Sequence, residues 1–190
     1  MTKKLSIGLL LFCLVNAASF GQKVFKGIEH KYIFQVDTSF WKVAGPEKVA
    51  RKIQYDKESK GVDTKYEYIF CTNNNEVIDR PCFLMMVYST TQNGYEETKT
   101  KFKQRAQVKL AELDTKFKDH DRTITEVVAD DKRKIIAYSV LNSKAEEPYY
   151  SCNITYFQDN YILVYALSVR KDDFKKVYTM FSQAALSTKF

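Results

Sequence analysis

The sequence predicts an α+β fold: a mostly antiparallel sheet, a long helix after the first strands and a second amphipathic helix near the C-terminus, layered as an α-β-α sandwich. Three observations carry this. Four strand-like runs over residues 123–128, 134–141, 149–157 and 161–169 follow one another through short links, the mark of antiparallel hairpins. Phe102, Ala106, Leu110, Leu113 and Phe117 recur at helical intervals and share one face. Phe174, Val177, Tyr178, Phe181 and Ala185 form a second apolar stripe.

In chain order, the first segment is an export signal. Lys3 and Lys4 precede an apolar run from Leu5 to Val15, and small and polar residues follow from Asn16 to Gln22, which is the order of a secretory signal peptide. The run is roughly half the ~20 apolar residues that a membrane-spanning helix requires. Cleavage after Ser19 or after Gly21 fits equally well. Cys13 follows Phe12, where lipid attachment would want a small residue, so it reads as part of the apolar run. The chain therefore divides into a signal over residues 1–21 and one α/β domain over 22–190. The mature protein is expected to be secreted or periplasmic, with no transmembrane segment.

Residues 32–36, 65–71 and 82–88 have the aromatic and β-branched content of strands, and Arg51 to Tyr55 reads as a further short one. Asn93 and Glu96 resemble a capping box opening the long helix. Its outer face carries Glu97 with Lys101 and Glu112 with Lys116 at i,i+4 spacing. Tyr161 to Leu167 is apolar on both alternating faces, which predicts a central strand covered on both sides. Asp172 or Asp173 can cap the second helix, and Leu186 to Phe190 reads as a short extended tail packed on the sheet.

The chain has 30 basic and 23 acidic residues, a net charge of +7 that falls to +5 when Lys3 and Lys4 leave with the signal. The charges are interleaved, as in Glu96-Glu97-Thr98-Lys99 and Arg170-Lys171-Asp172-Asp173. That describes a solvated mixed surface rather than a nucleic-acid stripe. Attraction to an anionic membrane surface or polysaccharide stays open. Of the cysteines left after cleavage, Cys71 and Cys82 flank a turn-rich link and are the candidate disulfide for an oxidising compartment, with Cys82 to Cys152 the alternative.

No nucleophile elbow, phosphate loop or zinc-protease motif occurs. His30 and His120 are far apart and lack metal-ligand spacing. Cys152 shares a strand face with Tyr150, Ile154 and Tyr156, a core position rather than a nucleophile's. Asp130-Asp131 reads as a charged hairpin tip, and the sequon Asn153-Ile154-Thr155 lies inside a strand. No catalytic, cofactor-binding or metal-binding residue is therefore assigned. Tyr149, Tyr150, Tyr156, Tyr161 and Tyr165 cluster on two adjacent strands. Tyr150, Tyr156, Tyr161 and Tyr165 are the candidate ligand-facing aromatics, with ordinary strand packing as the competing reading.

The order of elements from about residue 30 onward resembles the PsbP-like and Mog-like α-β-α sandwich family. Val36-Asp37-Thr38-Ser39-Phe40-Trp41 looks like that family's opening turn with its tryptophan, without the usual Pro and Gly before it, and Leu186 to Phe190 looks like its closing aromatic segment. The resemblance implies an accessory or binding protein and transfers no functional residue. The expected function is an exported, non-enzymatic binding or accessory protein with an unknown protein partner. The alternative is a carrier of a small apolar ligand or lipid in an aromatic-lined cavity between sheet and helices, and a hydrolase without a familiar motif ranks third.

Overall fold

The computed structural model describes residues 21–60, 65–72, 80–116 and 121–190. Almost all of the signal segment, His120, Phe117 and most of the Cys71–Cys82 link lie outside the described residues. Strands β1 (Gln22–Lys26) and β2 (Ile33–Asp37) form an antiparallel ribbon. The main sheet has seven antiparallel strands: β3 (Lys42–Val43), β4 (Tyr66–Cys71), β5 (Cys82–Ser89), β6 (Arg122–Asp130), β7 (Ile135–Asn142), β8 (Tyr149–Phe157) and β9 (Tyr161–Arg170), in the order β3-β4-β5-β9-β8-β7-β6. The helices are α1 (Pro46–Lys60), α2 (Tyr95–Lys116) and α3 (Phe174–Leu186), with a 3-10 turn over Lys171–Asp173 leading into α3. The predicted α+β class holds, and β9 occupies the centre as its two-sided apolar pattern required.

One face of the sheet packs against α3 and the ribbon. Val177, Phe181, Ala184 and Ala185 of α3 and Phe25, Phe34 and Val36 of the ribbon enclose Phe83, Met85, Cys152, Ile154, Leu163 and Tyr165 of the sheet. Trp41 is fully buried in the same core, edge-on to Phe83 at 4.8 Å between ring centroids, and its backbone N–H closes the opening turn on the Asp37 carbonyl at 2.9 Å. The other face is covered from its two ends. There α1 places Val49 over Ile69, Cys71 and Cys82, while α2 places Tyr95, Phe102 and Ala106 over Ile136, Tyr138 and Phe157.

Four expectations change. Residues 51–55 lie within α1 rather than in a strand: Pro46 at the first helical position and Glu47 in the first turn start a helix, and Val49, Ile53 and Asp56 then share one face at i, i+4, i+7. Asp56 on that face is 1% exposed and accepts hydrogen bonds from Lys52 and Tyr66. At the start of α2 the Asn93 side chain accepts the Tyr95 N–H at 3.1 Å, an Asx turn in place of a capping box. Asp173 stands at the N-cap of α3 in helical backbone geometry and its side chain makes no capping bond. The tail is shorter than expected, because Leu186 belongs to α3; Thr188 and Phe190 pack on Tyr165 and Tyr156 of the main sheet, while the tail's backbone pairs with the ribbon, where Ile33 and Lys189 exchange hydrogen bonds of 2.9 Å in both directions.

The cysteine expectation is corrected too. Cys71 and Cys82 are direct partners in the β4–β5 register, yet both are buried and form no disulfide, nor does buried Cys152. Opposed residues in an antiparallel ladder hold their Cβ atoms about 4.5–5.5 Å apart, while a bridge draws them to about 3.8 Å. The Cys82–Cys152 alternative fails because the two thiols occupy opposite faces of the sheet.

Candidate functional site

The connection between β1 and β2 is a loop braced from several sides. Gly27 donates its N–H to the Tyr32 carbonyl at 2.9 Å, and Tyr32 donates to the His30 carbonyl at 3.1 Å. A Cβ on Gly27 would sit 2.3 Å from the His30 carbonyl oxygen and 2.5 Å from the Tyr32 ring, so only glycine lets the loop close this tightly. The Glu67 carboxylate, on β4, lies beneath the loop. It accepts the Tyr32 hydroxyl proton at Oε2 and the backbone N–H groups of Ile28 and Glu29 at 3.4 Å each. Burial, then the hydrogen bond to Glu67 and its charge, raise the Tyr32 pKa far above the ordinary tyrosine range, so this hydroxyl remains a donor. His30 stacks on Tyr161 at 4.0 Å with the rings 8° from parallel. The loop is thereby tied to β4 and β9.

The tail flanks this loop. The Ser187 hydroxyl accepts the Gln35 N–H at 2.8 Å, Lys189 pairs with Ile33, and the Phe190 ring lies 5.3 Å from Tyr156 and 6.3 Å from Tyr32. Between loop and tail opens a cleft of about 560 Å³, lined among others by Lys26, Ile28, Lys31, Ile33, Lys189 and Phe190. Along the outer face of the ribbon, Val24 precedes Lys26 by the two-residue period of a strand. The side chains here are unusually open for apolar residues: Ile28 is 65%, Phe190 54%, Val24 52% and Ile33 41% exposed. Lys26, Lys31 and Lys189 are exposed beside them and form no ion pair among the described residues. The acidic groups nearby are engaged, Glu29 with Lys65 and Glu67 beneath the loop. A smaller hollow of about 400 Å³ lies between the β6–β7 and β8–β9 turns, bordered by Arg133, Lys134, Phe157 and Phe190.

The candidate aromatics fall in different places. Tyr150 stacks on Phe174 at 4.0 Å. Tyr156 donates its hydroxyl to the Ala185 carbonyl at 2.8 Å, and Tyr165 shares a 2.8 Å hydrogen bond with Thr188. Burial raises the Tyr156 and Tyr165 pKa values, and both rings are at most 2% exposed. Tyr161 touches the loop through His30, and Tyr149 receives the Arg80 guanidinium over its ring at 3.6 Å. Tyr156 borders the smaller hollow, and Tyr161 supports the larger cleft from below. Sequence reasoning missed Gly27, Ile28 and Glu67. The available signal was Ile28 itself, an apolar residue in a turn of Gly, Glu, His and Lys. Among the described residues no set of three or more His, Cys, Asp or Glu side chains is placed to hold a metal, and no helix is long and apolar enough to cross a membrane. At the hairpin tip, Asp131 accepts hydrogen bonds from Lys99 and Tyr95, which lower its pKa.

No protein-family model matches this chain, and no curated protein matches it. Chains of several solved structures are similar to it, two of them as follows. A crystal structure from Bacteroides thetaiotaomicron superposes at a TM-score of 0.48 with 8% identity over 90% of this chain and 48% of its own, too distant to carry an argument. The solution structure of cyanobacterial PsbP (CyanoP) from Synechocystis sp. PCC 6803 superposes at a TM-score of 0.56, with 11% identity over 92% of this chain and 95% of its own. That likeness supports the PsbP-like side of the resemblance, lends nothing to the Mog-like side, and identifies this chain's fold as PsbP-like.

Proposed function

We propose that this chain is an exported, non-enzymatic binding or accessory protein whose contact surface is the β1–β2 loop with the C-terminal segment. The observation that carries this is the gathering of Ile28, Ile33 and Phe190, three of the ten large hydrophobics exposed among the described residues, around one braced cleft, with exposed Val24 further along the ribbon. Exposed apolar side chains brought together on a braced scaffold favour a recognition surface. The carrier reading is disfavoured by the packing of Tyr150, Tyr156 and Tyr165, whose rings fill the layer between sheet and α3. The absence of an enzymatic role is an expectation from the missing motifs, and a shared fold alone would not establish it.

The test is affinity capture of the processed protein from the envelope or secreted fraction of its own host, alongside an Ile28→Asp variant of unchanged thermal stability. Retention of one component in near-equal amount by the unaltered chain and its loss from the variant supports the proposal. Equal retention by both places the contact surface elsewhere and refutes it.

A further inference from the structure

We infer that this surface seats on an anionic lipid bilayer, with Ile28 and Phe190 entering the headgroup region and Lys26, Lys31 and Lys189 meeting lipid phosphates. The inference deepens the proposed function by naming what its contact surface meets. Three features of the surface support it together.

The first is the alternation of apolar and cationic groups. On the ribbon's outer face Lys26 stands opposite Ile33, and Ile33 opposite Lys189, so lysines separate the apolar side chains from one another. The centre of a protein interface is contiguous and depleted in lysine. A bilayer surface accepts this alternation, because apolar side chains sink a few ångströms while lysine stems reach back to the phosphates. The second is shape. Ile28 is the most exposed large hydrophobic among the described residues and stands in a loop held from beneath by Glu67, Tyr32 and the His30–Tyr161 stack, so a wedge is presented at little ordering cost. The third is charge. Lys65 offsets Glu29, and the three lysines outnumber Glu67, whose hydrogen-bond donors are neutral, so the local potential is positive.

The test is co-sedimentation of the protein, recovered in processed form from an exporting host, with vesicles of phosphatidylcholine alone or of an equimolar phosphatidylcholine–phosphatidylglycerol mixture. A lysine at an anionic surface contributes about 1 kcal/mol, about fivefold in partitioning. Partitioning into the anionic vesicles should exceed that into neutral ones by about a hundredfold. It should fall steeply as salt rises from about 0.1 M to about 1 M, where the Debye length shrinks from about 10 to about 3 Å. The triple variant Lys26→Gln, Lys31→Gln, Lys189→Gln should lose the anionic preference, and Ile28→Asp should lower partitioning about tenfold or more. Each variant must match the melting temperature of the unaltered protein. The triple replacement Lys48→Gln, Lys57→Gln, Lys101→Gln, on α1 and α2, serves as the charge-matched control and should leave binding unchanged.

No sedimentation with anionic vesicles overturns the inference, as does binding that the control replacements weaken as much as the triple variant. The vesicle assay contains no other protein, so its failure leaves the capture experiment standing. If Ile28→Asp abolishes capture of a protein partner while vesicles are ignored, the surface is a protein-docking site and the bilayer inference is wrong.

Discussion

Tyr32→Phe removes one oxygen atom from a position that is 3% exposed and should destabilise the protein measurably. The hydroxyl is a donor to Glu67 Oε2, and the carboxylate, at 9% residue exposure, is left with two backbone N–H contacts at 3.4 Å, close to the limit for a hydrogen bond. Removing a hydrogen bond to a charged group costs about 1.5–3 kcal/mol. Taking about 2 kcal/mol, and about 2–4 °C per kcal/mol for a chain of this length, the melting temperature should fall by about 4–8 °C. The decisive measurement is a double-mutant cycle with Glu67→Leu followed by urea unfolding. Replacing both partners by apolar groups removes the stranded charge, and the Ile28 and Glu29 amides, on exposed residues, can turn to water. The double variant should therefore be more stable than the sum of the single effects implies, by 1 kcal/mol or more on the usual scale for a direct pair, about 0.5–3 kcal/mol. Strict additivity, or a Tyr32→Phe effect below about 0.5 kcal/mol, would refute the assigned role of Glu67 as the brace beneath the loop.

Two further outcomes follow from the core. Phe181→Ala empties the point where α3 meets the sheet, a fully buried ring 5.7 Å from Phe83; it should cost about 3–5 kcal/mol in urea unfolding, and a loss under about 1 kcal/mol would mean that α3 is not packed as described. Burial pushes the Cys152 thiol up to about 11, against about 8.5 in an unfolded chain. A raised folded-state pKa stabilises fully below the unfolded value and is lost as pH rises through the folded one. The urea midpoint should therefore drop between pH about 8.5 and about 11, and less steeply in Cys152→Ala; a midpoint that is flat or rising there contradicts the assignment.

How far the sequence could be read depended on the range of the forces involved. The strands β6 to β9 were legible because short links and two-residue alternation are local signals, and the stripe of Phe174 to Ala185 fixed α3 in the same way. Helix α1 was misread because Ile53 and Tyr55 alternate like a strand over five residues, while the true start signal, Pro46-Glu47, lies upstream. Strand β1 went unrecognised beside the signal segment, although Val24 and Phe25 alternate across the two faces of the ribbon. Tyr149, Tyr150, Tyr156, Tyr161 and Tyr165 stand on the adjacent strands β8 and β9, as their spacing suggests, but each packs against a different partner, which spacing does not encode.

The sequence by itself determined the class of fold, the central place of β9 and the character of both amphipathic faces, since each is encoded in periodicity that burial of apolar surface must satisfy. Only the tertiary structure decided that Ile28 projects from a loop held by Glu67, 38 residues from Glu29, and that Ile33 meets Lys189 at the far end of the chain. Such pairings depend on how the sheet and the ribbon close on each other, and sequence spacing carries no trace of that distance in space.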